Sequence, residues 1–130
     1  MAPSEEVQAW LDKGQADLNS ARVLVNADPP LTDTTCFHCQ QAAEKYLKAF
    51  LIHHNRPFGR IHNLVYLLEL ATEVDAGLDM LANAVALLTP YAIAVRYRGD
   101  WVEPSIAEAH EGLTAATTVV DTIKSRIDAN

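Results

Sequence analysis

Apolar residues stepping three and four positions apart predict an all-α fold: an antiparallel up-and-down bundle of four long helices with one shorter helix. Two further observations agree. Proline and glycine cluster in the gaps between the periodic stretches, and no stretch alternates as a half-buried strand does. Helix one starts at Ser4, whose hydroxyl suits an N-cap, with Glu5 and Glu6 answering the backbone dipole. Its inward stripe is Val7, Leu11, Gly14, Leu18, Ala21 and Val25, and Pro29-Pro30 stop it near Asp28. Asp33 or Thr32 is expected to cap helix two, which runs to about Asn55 with Cys36, Gln40, Ala43, Leu47, Phe50 and His54 inward. His38, Gln41, Lys45 and Lys48 then form a polar, basic face opposite that stripe.

Asn55-Arg56-Pro57-Phe58-Gly59-Arg60 reads as a loop. Helix three opens near His62 or Asn63, buries Leu64, Leu67, Leu68, Ala71 and Val74, and ends by Gly77. A fourth helix is expected from about Asp79 to Val95, kinked at Pro90, which lacks the amide that would bond the Ala86 carbonyl. After a loop at Gly99 to Glu103, Pro104 is placed at the first position of the last helix. That helix carries Ile106, Ala109, Leu113, Ala116, Val120, Ile123 and Ile127, the clearest periodic seam in the chain.

With 130 residues, 49% of them hydrophobic, the chain fits one domain, residues 1–130, with its own core. No apolar run is long enough for a membrane span, and the acidic start MAPSEEVQAW lacks the pattern of a secretory signal, so a cytoplasmic location is expected. Seventeen acids against ten Lys plus Arg give a net charge of −7, which argues against general coating of nucleic acid. The charge is unevenly spread. From Cys36 to Leu68 four cations face one acid, netting +3, and Arg96 and Arg98 follow a charge-free stretch from Met80 to Val95.

Three kinds of chemistry fall away. Cys36 and Cys39 project together while His38 points elsewhere, so no closed metal site, and no resident cofactor, is expected. The two thiols read as small hydrophobes. There is no nucleophile elbow or glycine-rich phosphate cradle, and the acid pairs Glu5/Glu6 and Glu103/Glu108 stand at helix starts as caps. What remains is a set of cations and rings: Lys45, Lys48, Arg56, Arg60, His62, Tyr91, Arg96, Tyr97, Arg98 and Trp101. Guanidinium groups grip phosphate and rings stack on bases, so this set suits a nucleotide or single-stranded RNA site if the fold gathers it. The bland alternative is a solvated face with ordinary pairing to the abundant acids, and for His62 a bond to a local carbonyl.

The run Cys36-Phe37-His38-Cys39-Gln40-Gln41-Ala42-Ala43-Glu44-Lys45-Tyr46-Leu47-Lys48-Ala49-Phe50-Leu51 resembles the second-helix signature of the HEPN domain family. His62-Asn63-Leu64 resembles that family's His-Asp-Leu, and Tyr91 with Ala94-Val95-Arg96-Tyr97 resembles its tyrosine and Ala-Arg-Tyr segment. The resemblance implies a helical bundle that forms homodimers. It also implies one of two activities: a nucleotide-associated module beside a minimal nucleotidyltransferase in a toxin–antitoxin or defence pair, or a metal-independent endoribonuclease at the dimer cleft. The ribonuclease members carry Arg-x(4 to 6)-His. Arg56 and His62 match that spacing but lie between helices two and three, whereas the family motif usually lies near the last long helix; there, Arg98 and His110 stand too far apart. The binding module is therefore the expected function, with Lys45, Lys48, His62, Arg96, Tyr97 and Arg98 as nucleotide or phosphate contacts. The endoribonuclease, with Arg56 or Arg96 as clamp and His62 as acid/base, is the alternative, and a purely structural oligomerisation domain is the third.

Overall fold

A computed structural model describes residues 2–92 and 103–129. The described residues are helical with no strand: α1 (Glu5–Val25), α2 (Thr32–His53), α3 (Leu64–Val74), α4 (Ala82–Leu88) and α5 (Ile106–Asp128), with 3-10 segments at Ala76–Leu81 and Thr89–Tyr91. None of these helices is long and apolar enough to cross a membrane. The bundle is organised around α2, which packs against α1, α3, α4, α5 and the Thr89–Tyr91 turn. Short connections make α1 and α2 antiparallel neighbours, and α5 lies along both.

Most starts and stops follow local chemistry. The Ser4 hydroxyl accepts from the Val7 amide at 3.2 Å, as an N-cap should. The helix it opens ends at Val25, three residues before Asp28, because the Asn26 side chain bonds the Arg22 carbonyl and the Leu31 amide returns to Leu24. Neither Thr32 nor Asp33 caps α2. Leu31 occupies the cap position with no side-chain bond, Asp33 sits inside the first turn bonding the Thr34 amide, and the Thr32 hydroxyl reaches Glu103 at 3.3 Å. Asn63 caps α3 by accepting from the Tyr66 amide. Ser105 caps α5 in a reciprocal box with Glu108, so Pro104 stands just before the cap and not at the first helical position.

The fourth expected helix is divided. Its α-helical part is only Ala82–Leu88, entered through one 3-10 segment and left through another that contains Pro90. Proline cannot donate to Ala86, and the Thr89 hydroxyl bonds the Val85 carbonyl, so the ladder ends at Leu88. Residues 93–95, expected to complete it, lie outside the described residues.

The largest departure is in α2. Its expected polar face is only partly open to water: His38, Gln41 and Lys45 are half-buried, and Lys48 is buried, with Glu44, alongside Cys36, Cys39, Ala43, Leu47 and Phe50. A helix with neighbours on most sides has only a narrow solvated edge to give. One contact sets how closely α1 approaches it. A Cβ on Gly14 would stand 2.6 Å from the Tyr46 ring, and Tyr46 is buried. Gly14→Ala is expected to destabilise the chain by about 1 to 2 kcal/mol in urea unfolding, overpacking outweighing the helix propensity gained. An unchanged or raised midpoint would show that the two helices have slack there.

Candidate functional site

Every described cation among the candidates, except Arg60, is held by a carboxylate. The innermost set lies on the middle of α2. Lys48 Nζ donates to Glu44 Oε2 at 3.1 Å across one helical turn, with side chains 5% and 9% exposed. His62, in the loop before α3, brings Nδ1 to 3.0 Å from the same oxygen and 3.1 Å from Nζ. The rings of Trp10 on α1 and Phe58 in the loop each place their centroids 5.6 Å from Nζ, within reach of a cation–π attraction. His62 itself is 73% exposed, so it caps a buried ion pair and turns its outer edge to solvent.

A second set lies farther along the α1–α2 seam. Asp17, buried within the α1 stripe, accepts from Lys45 Nζ and lies 2.8 Å from His38 Nδ1. The third set is exposed: Arg56 pairs with Glu73 on α3 at 3.2 Å and donates to the Pro57 carbonyl. Arg56 and His62 are thus tied to different carboxylates. Arg60 is exposed, and Arg96, Tyr97, Arg98 and Trp101 lie outside the described residues. Tyr91 packs against Val25, Cys36 and Ala109, and burial pushes its hydroxyl above the usual tyrosine range.

Beside the first two sets a recess of about 390 Å³ is lined by Glu6, Ala9, Trp10, Lys13 and Lys45. That volume lies at the lower end of ligand sites. Trp10 borders both the recess and Lys48, so the recess and the His62 cluster are neighbours. A larger hollow of about 560 Å³ near the end of α5 is lined by Asp121, Lys124, Ser125, Asp128 and Ala129, where two acids face one cation and a phosphate is repelled.

Cys36 and Cys39 are buried thiols not joined in a disulfide, and burial with the neighbouring Cys36 pushes Cys39 up to about 12. Such a thiol is inert as a nucleophile at neutral pH. Among the described residues no group of three or more His, Cys, Asp or Glu is arranged to hold a metal. At the end of α2, His54 stacks on Phe50 with its Nε2 buried and unpartnered, and burial, then His53, lowers its pKa below the usual 6.5.

Sequence reasoning named Lys45, Lys48 and His62, and the structure brings Lys48 and His62 into contact. It missed the groups that define their environment: Asp17, Glu44, Trp10 and Phe58, although it placed His38, which pairs with Asp17, on the same basic face. Signals existed for two of them. Glu44 and Lys48 have the four-residue spacing of a helical ion pair, and Asp17 interrupts an apolar stripe between Gly14 and Leu18.

The HEPN domain family model matches residues 7–126. ST0689, an archaeal HEPN homologue, is 22% identical, with 98% of this chain and 99% of that chain covered and a TM-score of 0.72. TT1696 from Thermus thermophilus is also 22% identical, with 94% and 98% covered and a TM-score of 0.74. No curated protein matches the sequence.

Two outcomes follow for stability. Removing Asp17 (Asp17→Ala) strands Lys45 and His38 at a buried seam and is expected to cost about 2 to 3 kcal/mol, whereas Glu73→Ala, at an exposed pair, costs under about 1 kcal/mol. Equal losses in urea unfolding would contradict the ranking. For His54 the folded pKa lies below the unfolded value, so the unfolded chain takes up the proton first as pH falls. Its contribution is complete above pH 6.5 and declines below it. Wild type minus His54→Gln stability should therefore shrink between about pH 7.5 and 5.5, and a constant difference would rule out the effect.

Proposed function

The chain belongs to the HEPN domain family, and from that premise we propose that it is a nucleotide-associated binding module, homodimeric, working beside a nucleotidyltransferase-type protein in a toxin–antitoxin or defence setting. The observation that carries the binding role is the recess beside Trp10, where an indole ring for stacking stands with Lys13 and Lys45, next to the exposed His62. Lys45 and His62 are the phosphate contacts in this reading, while buried Lys48 acts from behind them. The pairing of cations with Asp17 and Glu44 favours a single small anion over a long polyanion, whose affinity depends on many unpaired cations. Partnership with a nucleotidyltransferase and homodimer formation rest on the family likeness, as do Arg96, Tyr97 and Arg98 as further contacts and cytoplasmic residence.

One observation favours the endoribonuclease as a second reading: His62 is exposed, anchored through Nδ1, and five residues separate it from Arg56. Against it stands the engagement of Arg56 with Glu73. ATP at millimolar concentration is expected to raise the melting temperature in a concentration-dependent way, with the rise lost in a Lys13→Glu/Lys45→Glu variant. RNA incubated with the protein in chelator is expected to stay intact. No thermal shift would remove the binding role, and cleavage that disappears in His62→Ala would establish the nuclease instead.

A further inference from the structure

The Lys48 ammonium has three N–H donors and is almost completely removed from water. Trp10 and Phe58 attract its charge through their ring faces but supply no lone pair in the plane. The acceptors it meets are Glu44 Oε2 and His62 Nδ1, both at 3.1 Å. In a neutral imidazole Nδ1 is either a donor or an acceptor. As a donor it would bond Glu44 at 3.0 Å but point its hydrogen into the field of an ammonium and take one of that ammonium's two acceptors away. As an acceptor it takes a hydrogen bond from one Lys48 N–H while Glu44 Oε2 takes one from another, and the ammonium lies between two otherwise repelling lone pairs. The second arrangement satisfies the buried cation, and it leaves the imidazole proton on the outer nitrogen.

We propose that Lys48 is a positioning residue that holds neutral His62 with its proton on Nε2, so that the ring meets a phosphate oxygen as an N–H donor and not as a base. The phosphate half of this rests on the binding role proposed above; the tautomer does not. When the ring protonates, Nδ1–H turns to Glu44 and Nε2–H stays outward. The outer edge is a donor in both states, which suits anion binding and leaves no basic nitrogen to take a proton from a ribose hydroxyl.

Long-range 1H–15N correlation of the His62 ring at about pH 8 in the full chain tests this, for wild type, Lys48→Met and Lys48→Arg, with inorganic phosphate titrated into each. The expected result is the proton on Nε2 in wild type, its transfer to Nδ1 in Lys48→Met, where Glu44 is left as the strong acceptor, and return to Nε2 in Lys48→Arg. Phosphate should perturb Nε2 in wild type and bind about tenfold more weakly to Lys48→Met, the loss of roughly one hydrogen bond. A proton on Nδ1 in wild type, or an unchanged tautomer in folded Lys48→Met, overturns the proposal. If Lys48→Met does not fold, Glu44→Leu/Lys48→Leu removes both charges together; a ring in wild type indistinguishable from the ring in that variant overturns it equally. Tautomers that behave as stated with no response to phosphate uphold the positioning role and overturn the phosphate reading alone.

Discussion

A lysine that is 4% exposed cannot keep its charge without a carboxylate in reach, and this requirement ties together the parts of the molecule that surround α2. Glu44 supplies the carboxylate from the same helix, one turn away, so the pair forms as α2 forms. The rest of the shell arrives from elsewhere: Trp10 from α1, Phe58 and His62 from the loop that leads into α3. The pair therefore fixes where the loop lies, and Asn63, the next residue, begins α3 from that fixed point. A buried ion pair adds little net stability over an apolar substitute of the same shape. Its consequence is spatial: it holds an exposed imidazole in one place at the edge of a helical bundle.

The helical class and most of the inward stripes were legible because burial in a bundle repeats at the helical period, which α1 shows throughout and α5 from Ala109 onward; Ile106 and Val74, expected inward, stand at helix ends and are exposed. Caps with two reinforcing signals were legible too, as at Ser4 with its acids. Where two residues competed, local chemistry was insufficient: Thr32 and Asp33 both look like caps, but Thr32 is drawn to Glu103, 71 residues away. The division of the fourth helix was half visible. Pro90 announces a break, yet the 3-10 entry at Ala76–Leu81 follows from the packing of Leu78 and Leu81 in the core, which no local pattern encodes.

The site was legible in its cations and not in its acids. Counting charge along a segment makes residues 36–68 a basic centre, but the count ignores partners from other elements. Asp17 from α1 and Glu73 from α3 return to that region the negative charge it lacks in sequence. The same folding step that gathers Lys45, Lys48 and His62 also neutralises the lysines, so a surface expected to be strongly positive becomes nearly balanced, with His62 as its exposed member. The proposed preference for a binder rests on the carboxylates: Glu73 engages Arg56 away from His62, and Glu44 engages Lys48 and His62 together.

The most direct test of the buried pair is a double-mutant cycle at Glu44 and Lys48, using Glu44→Gln, Lys48→Met and both together, with unfolding free energies from urea titration. If Lys48 and Glu44 satisfy one another in the core, the double variant should lose less stability than the two single losses added together, with a coupling of about 1 to 3 kcal/mol. Additive losses, agreeing within about 0.3 kcal/mol, would mean that the two charges do not depend on each other and that nothing holds His62 in its place.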